Sequence, residues 1–411
     1  MSVDDAQWRV FGRIGLLSFG GPAAQIALMH RELVEKRTWL SEAEYLRALS
    51  FCMLLPGPEA MQLATYAGWK IGGVRGGLVA GALFVLPGAL VILALAALYS
   101  TFGQLPLIAA LFMGVKAAVV VIVIEALMRV AKRALKGRVE RAIALGAFIA
   151  IFALNLPYPL VILMAAIVGA RCLIQPIAAS IPLPRHPQLA ATLVSGLCLW
   201  WAPIAGLALA GQGFLVAIGL FFSKLAVVTF GGAYAVLAYM TQTVVQDYGW
   251  LSTPQMMDAL GLAETTPGPL ILVTEFVAFL AGAAQAGTGM ALAAAAIALW
   301  VTFVPCFLWV FAFAPYIEWI ATRPRLASAL SGISAAVVGV IASLALWFAL
   351  HLFFSKLGHI GPLPLPDLAS FQWKPVLVAV FAAVLLLHFH RSMVLVLSLS
   401  SLAGIALSLP L

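Results

Sequence analysis

Apolar residues run in long blocks separated by short polar stretches from one end of the chain to the other. Thirteen blocks stand out, at 10–29, 46–69, 76–99, 106–128, 142–154, 157–170, 189–210, 214–240, 256–281, 289–313, 326–350, 375–389 and 392–409. A helix needs about 20 apolar residues to cross roughly 30 Å of hydrocarbon, and several blocks reach that length. The longest polar stretches, Arg31–Arg47 and Leu352–Trp373, hold roughly twenty residues each, too few for a separate folded domain. The pattern predicts an all-α polytopic membrane protein of about 13 apolar helical segments.

The blocks are not independent. Arg13–Pro58 aligns with Lys224–Pro269 at a constant offset of 211 without a gap, and 15 of 46 positions are identical. Phe19-Gly20-Gly21 meets Phe230-Gly231-Gly232, Trp39-Leu40-Ser41 meets Trp250-Leu251-Ser252, and Pro56-Gly57-Pro58 meets Pro267-Gly268-Pro269. After a seven-residue insertion the offset becomes 218, where Pro87 meets Pro305 and Gly114-Val115-Lys116 meets Gly332-Ile333-Ser334. The chain is an internal duplication: a first repeat over 1–175, a linker with a connecting helix over 176–213, and a second repeat over 214–411.

Composition agrees with the pattern. The chain is 64% hydrophobic and 9% charged, with mean hydropathy +1.09, against about 25% charged for a soluble domain. Cys52, Cys172, Cys198 and Cys306 lie scattered in apolar contexts, without the spacing of a disulfide frame or a metal site. The opening stretch is acidic and lacks the apolar core of a cleaved signal. No phosphate-binding loop, catalytic triad or zinc motif is present, so neither ATP-driven pumping nor hydrolysis is supported, and no cofactor or nucleic-acid partner is expected.

The net charge of +8 speaks to topology. Lys and Arg in short loops mark the cytoplasmic side. Arg129–Arg141 carries six basic residues in thirteen, whereas the matching His351–Phe371 carries one; Arg31–Arg47 carries four, whereas Gln242–Met257 carries none. Equivalent loops of opposite bias point to inverted-topology repeats, joined by the odd segment 189–210. Arg9/Arg13, Arg31–Arg47 and Lys70/Arg75 all read as cytoplasmic although two apolar blocks lie between them. Segments 10–29 and 46–69, with 214–240 and 256–281 from the other side, are therefore expected to be broken or re-entrant; four ordinary spans are the alternative.

The breaks fall at the FGG and PGP motifs. Proline removes an N–H and clashes with the preceding turn, and glycine permits φ > 0 and close backbone approach. Helix N-termini exposed at such breaks suit an anion. Matched breaks in two halves point to a binding site near the bilayer midplane, with alternating access around it. The donors expected there are Ser18, Gly20, Gly21, Gly57, Thr229, Gly231, Gly232, Thr265, Thr266 and Gly268, although the hydroxyls can instead cap or back-bond their own helices. Arg13, Lys224 and Lys116 are expected to supply positive field. Arg13 and Lys224 occupy matched positions and can alternatively snorkel, and Lys116 can alternatively pair with Glu125 or another acid. Glu59 and Glu264, beside the two PGP motifs, are candidates for coupling or gating. His388-Phe389-His390-Arg391 reads as a positive cluster at a hairpin tip, not a metal site.

At these residues the chain resembles a known family. SFGGPAAQIALMHRELVEKRTWLSEAEYLRALSFCMLLPGPEAMQLATYAGW is similar to the amino-terminal domain of chromate ion transporters, and VTFGGAYAVLAYMTQTVVQDYGWLSTPQMMDALGLAETTPGPLILVTEFVAFLAG to the carboxy-terminal domain of the long, two-domain members. The resemblance implies a secondary transporter of the bacterial inner membrane that exports chromate and confers resistance. It also implies competition by sulfate and dependence on the membrane potential or a proton gradient, through a proton or a counter-anion. With a cytoplasmic N-terminus, the C-terminus is expected in the periplasm, and a homodimer is compatible with the chain. The second half departs from the motif, since Ala233 stands where Pro22 does in the first.

The charge pattern makes one direct prediction. Tags or labelled cysteines placed in Arg31–Arg47 and in Gln242–Met257 are expected to report opposite sides of the membrane, and a common side would sink the inversion.

Overall fold

A computed structural model describes residues 3–19, 21–103, 105–173, 188–230, 233–321, 323–360 and 363–408. The chain is an all-α polytopic membrane protein. Its helices are α1 (Val3–Leu17), α2 (Gly21–His30), α3 (Glu42–Cys52), α4 (Glu59–Phe102), α5 (Pro106–Ala134), α6 (Arg138–Phe152), α7 (Tyr158–Cys172) and α8 (Leu189–Leu209), followed by α9 (Gly213–Val228), α10 (Ala233–Gln242), α11 (Thr253–Thr265), α12 (Val273–Phe313), the short α13 (Ile317–Ala321), α14 (Pro324–Phe353), α15 (Trp373–Ala383) and α16 (Met393–Ser408). Between α14 and α15 a two-stranded antiparallel hairpin, β1 (Leu357–Ile360) and β2 (Leu363–Pro366), occupies the polar stretch Leu352–Trp373.

Local structure repeats where the sequence does. A π turn ends the first broken segment of each half, at Arg31–Glu35 and Thr243–Asp247. Thr38 and Gly249 then take φ of 49° and 61°. The next helix starts with the same reciprocal cap in both halves. Ser41 N–H donates to the Glu44 carboxylate at 3.1 Å, and Ser252 N–H donates to the Gln255 amide oxygen at 2.9 Å. Each pair satisfies donors that a helix start leaves open.

Apolar blocks 46–69 and 76–99 meet inside α4, and 256–281 and 289–313 inside α12. Each long helix is interrupted by one sharp reversal. At Gly72-Gly73 the backbone passes through φ −130° and +62°, and at Ala286-Gly287 through −156° and +75°. Glycine carries the positive φ in both because it has no Cβ to collide. The arms on either side pack backbone to backbone: a Cβ on Gly68 would collide with the Gly76 carbonyl, and one on Gly282 with Met290 and Ala291.

The fold forms two compact units, and neither coincides with a repeat half. The first comprises Met1–Ala97, Ile177–Val236 and Thr266–Pro324; the second comprises Leu98–Pro176, Leu237–Thr265 and Arg325–Leu411. Each unit thus draws on both halves, although the sequence places the domain division near residues 175–214. Residues 175 and 176 lie outside the described residues.

In the second unit, glycines set the helix crossings. Gly114 of α5 lies against the Ser400 carbonyl and Gly404 of α16 against Ala110, while Gly332 of α14 lies against Ala165 and Gly169 of α7. Gly114 and Gly332 are matched positions, so each half lends its central helix to the last helix of the other. The duplication also extends further than sequence alone showed: α6 and α7 start at Arg138 and Tyr158, and α15 and α16 start with the same spacing at Trp373 and Met393. Apolar helices in lipid have no hydrophobic drive to associate, so close backbone approach at small residues supplies the contact.

Gly114→Val or Gly332→Val is expected to lower the thermal transition of detergent-extracted protein, since overpacking typically costs about 1–3 kcal/mol. Gly146→Ala, where an added Cβ meets nothing within 4 Å, is the control and is expected to leave the transition unchanged or raise it.

Candidate functional site

All four breaks occur where the motifs place them. α1 stops at Leu17 and α2 starts at Gly21, which has φ +75°; α3 stops at Cys52 and α4 starts at Glu59. In the second half α9 stops at Val228, and a gap separates α11 from the 3₁₀ turn Leu270–Leu272 that precedes α12. Gly57 and Gly268 take φ of +119° and +90°. Blocks 10–29, 46–69, 214–240 and 256–281 are therefore broken helices.

Within the first unit the breaks pair crosswise between halves. Gly57 N–H donates to the Thr229 carbonyl at 2.8 Å, and Gly268 N–H donates to the Ser18 carbonyl at 3.0 Å. Matched residues thus exchange matched bonds. Each PGP also rests on the long helix of the other half. The Cys306 Sγ, just after Pro305, lies where a Cβ on Gly57 would point, and Gly88, just after Pro87, faces the Pro267 carbonyl.

This arrangement alters the expected donor set. The Gly57 and Gly268 amides, expected to point at an anion, already have carbonyl acceptors. The reason is energetic: an unsatisfied backbone group costs several kcal/mol in hydrocarbon, and the partner half brings a carbonyl within reach. Ser18 Oγ donates to the Ile14 carbonyl at 2.5 Å and Thr229 Oγ1 to the Leu225 carbonyl at 2.6 Å, so both hydroxyls back-bond their own helices. Thr265 Oγ1 likewise donates to Leu262. Thr266 and Glu264 are buried, and Glu59 is half-buried at the first position of α4. Gly20, Gly231 and Gly232 lie outside the described residues.

Two glutamines brace the breaks, and the sequence reading passed over both. Gln25 Nε2 donates to the Gly268 carbonyl at 2.6 Å and to the Ser18 carbonyl at 3.2 Å. Gln62 Nε2 donates to the Pro56 carbonyl at 2.7 Å. Both side chains are buried, and both amide oxygens lack a hydrogen-bond partner among the described residues. Gln25 is matched by Val236, so its brace belongs to the first half alone. A glutamine in an otherwise apolar run was the available signal, since polar side chains at membrane depth are rare and functional.

Expected cations divide by location. Arg13 and Lys224 are both exposed, Arg13 with Leu16 and Leu17 on one face of α1 and Lys224 with Leu220 and Val227 on one face of α9. Lys116 belongs to the second unit, where its ammonium lies 3.1 Å from Asp258, while Glu125 pairs with Arg129. The partner of Lys116 is thus another acid, and Asp258 was not among the acids singled out from sequence. Glu275, in the first turn of α12, is 1% exposed and has no hydrogen-bond or ion-pair partner among the described residues.

The basic loop Arg31–Arg47 carries its own counter-charge. Glu32 accepts from Lys36 at 2.8 Å and from Arg37 at 2.5 Å. The Lys36 hydrogen bond, followed by that of Arg37, holds the Glu32 carboxyl below its ordinary range. No group of three or more His, Cys, Asp or Glu side chains able to hold a metal ion occurs among the described residues.

The family model described as Chromate transporter matches twice, over residues 6–170 and 216–405. A probable chromate transport protein of Synechococcus elongatus is 33% identical over 336 residues, covering 81% of each chain. Chromate transport proteins of Cupriavidus metallidurans and Pseudomonas aeruginosa are each 31% identical, over 80% of this chain and 79% and 77% of theirs. No solved structure matches the chain.

Gly57→Ala and Gly268→Ala are expected to lower thermal stability and abolish transport together, because a Cβ at positive φ costs about 1–2 kcal/mol and displaces the donated amide. Glu275→Gln is expected to leave thermal stability unchanged, since the neutral amide replaces a carboxyl with no cation beside it; a large fall would mean that the negative charge itself is held.

Proposed function

The chain belongs to the chromate transporter family, and from that membership we propose that it is a secondary-active transporter exporting chromate across the bacterial inner membrane and conferring chromate resistance. The observation that carries the reading is the crosswise pairing of Gly57 with Thr229 and Gly268 with Ser18. Two hydrogen bonds exchanged between matched breaks form an element with two equivalent ways to open. Releasing one bond while the other holds gives a site that faces one side and then the other.

The substrate class follows from chemistry. Chromate is a tetrahedral dianion, and the first-turn amides of α2 and α4, which follow the first-half breaks, have no intrahelical acceptors. Those amides, with Gly20 and Gly21 and their counterparts Gly231 and Gly232, are the donors of this reading. Opening the break bonds adds Gly57 and Gly268, and rotation of the hydroxyls adds Ser18, Thr229, Thr265 and Thr266. Arg13 and Lys224 supply long-range positive field from matched positions. Glu59 and Glu264 weaken a hold that would otherwise keep a dianion bound. The repeats, 1–175 and 214–411, take inverted topology around the linker 176–213, with the N-terminus cytoplasmic and the C-terminus periplasmic. One chain already holds both halves, so a dimer is not required for a complete site.

Purified protein in liposomes is expected to move labelled chromate, with sulfate competing more strongly than molybdate or phosphate. Flux of sulfate with no flux of chromate would reassign the substrate, and current without coupled movement of a proton or counter-anion would make the protein a channel. Arg13→Ala and Lys224→Ala are expected to abolish chromate resistance in cells while leaving membrane insertion intact; wild-type resistance in both would remove these side chains from the mechanism.

A further inference from the structure

The second unit contains a cluster drawn from three elements around the buried Asp258, with Lys116 and Tyr99 half-buried. Lys116 Nζ of α5 lies 3.1 Å from Asp258 Oδ1 of α11, and the Tyr99 hydroxyl, near the end of α4, donates to Asp258 Oδ2 at 2.7 Å. The Asp258 and Lys116 side chains are 8% and 17% exposed. Lys116 is thus held by a carboxylate rather than open to substrate.

The duplication makes this cluster informative. Arg47 matches Asp258 and Ser334 matches Lys116, so the matched positions carry neither the carboxylate nor the amine. A fold that both halves share does not need the pair. Buried ion pairs are in any case weak sources of stability, because desolvation opposes their attraction. Ionisable groups at this depth instead mark ion and proton pathways.

Asp258 has two states. As a carboxylate it accepts from Tyr99 and balances the Lys116 ammonium, and the cluster is neutral. When a proton adds to a carboxyl oxygen, the ammonium loses its counter-ion and the cluster becomes singly positive. Lys116 must then move toward water or another anion. Asp258 also lies on α11 about two turns before Thr265, where the helix gives way to Thr266 and the second PGP. Movement of α11 therefore reaches that break along the helix itself.

The elements packed on α5 are α11, α15, α16 and the π turn Val384–His388. Their other charged or titratable side chains are Glu264, Lys374 and His388, and α5 itself carries Glu125, Arg129, Lys132 and Arg133. The titratable groups acting on Asp258 are Lys116 and Tyr99.

We propose that Asp258, with Lys116 and Tyr99, is the proton-binding site that couples anion movement to a proton gradient, an inference resting on the transport reading above. The test uses the full chain in liposomes with an internal pH dye and labelled chromate. In the wild type a pH gradient drives chromate accumulation together with proton movement. Asp258→Asn is expected to reduce gradient-driven accumulation about tenfold or more, within the usual range of coupling between sites, while chromate–chromate exchange persists. Tyr99→Phe removes a donor to the carboxylate and is expected to move the pH profile of transport toward higher pH, which a purely structural role would not do. If Asp258→Asn fails to fold because Lys116 is left alone, Lys116→Met with Asp258→Asn removes both charges, and the same loss of gradient-driven accumulation is expected. Wild-type coupling in any folded Asp258→Asn variant, or an unchanged pH profile in Tyr99→Phe, would overturn the proposal. Absence of chromate flux in the wild type would instead sink the transport reading, and this proposal with it.

Discussion

A backbone that leaves its helix inside hydrocarbon must still satisfy its N–H and C=O groups, and water is not available there to do it. This protein leaves the helix at four motifs. The bonds that compensate run between repeat halves, from Gly57 to Thr229 and from Gly268 to Ser18. Neither half can satisfy its own PGP amide in this arrangement. The two halves therefore depend on one another through backbone chemistry, before any side-chain specificity is considered.

The same exchange governs the packing. Each PGP rests on the proline-containing stretch of the other half's long helix, around Pro87-Gly88 and Pro305-Cys306. In the second unit, α5 of the first half meets α16 of the second, and α14 of the second meets α7 of the first, both across glycines. Small residues allow these approaches because lipid offers no competing drive and van der Waals contact must suffice. The close glycine contacts recur at matched positions, whereas several polar side chains do not. Gln25 faces Val236 in the alignment, Glu264 faces Met53, and Asp258 faces Arg47.

How much of the site could be read in advance depended on which signal each residue gave. Glycine and proline announced the breaks, because few other reasons exist to place both in a membrane helix at matched positions. The fate of the freed amides could not be read, since whether Gly57 N–H meets a carbonyl or an anion depends on which segment folds beside it. Gln25 and Gln62 carry no charge, and a polar amide in an apolar run gives a weaker signal than an ionised group. Asp258 lies near the start of an apolar block, and only the folded chain brings it within 3.1 Å of Lys116.

The sequence by itself determined the membrane setting, the duplication, the positions of the breaks and the family resemblance, because each is a property of composition or of order along the chain. It also indicated that Arg13 and Lys224 are equivalent. Tertiary structure decided the partners: which carbonyl takes each glycine amide, which acid holds Lys116, and how the halves divide between two compact units. Those choices depend on segments more than a hundred residues apart, and a linear pattern carries no record of which distant group comes within three ångströms.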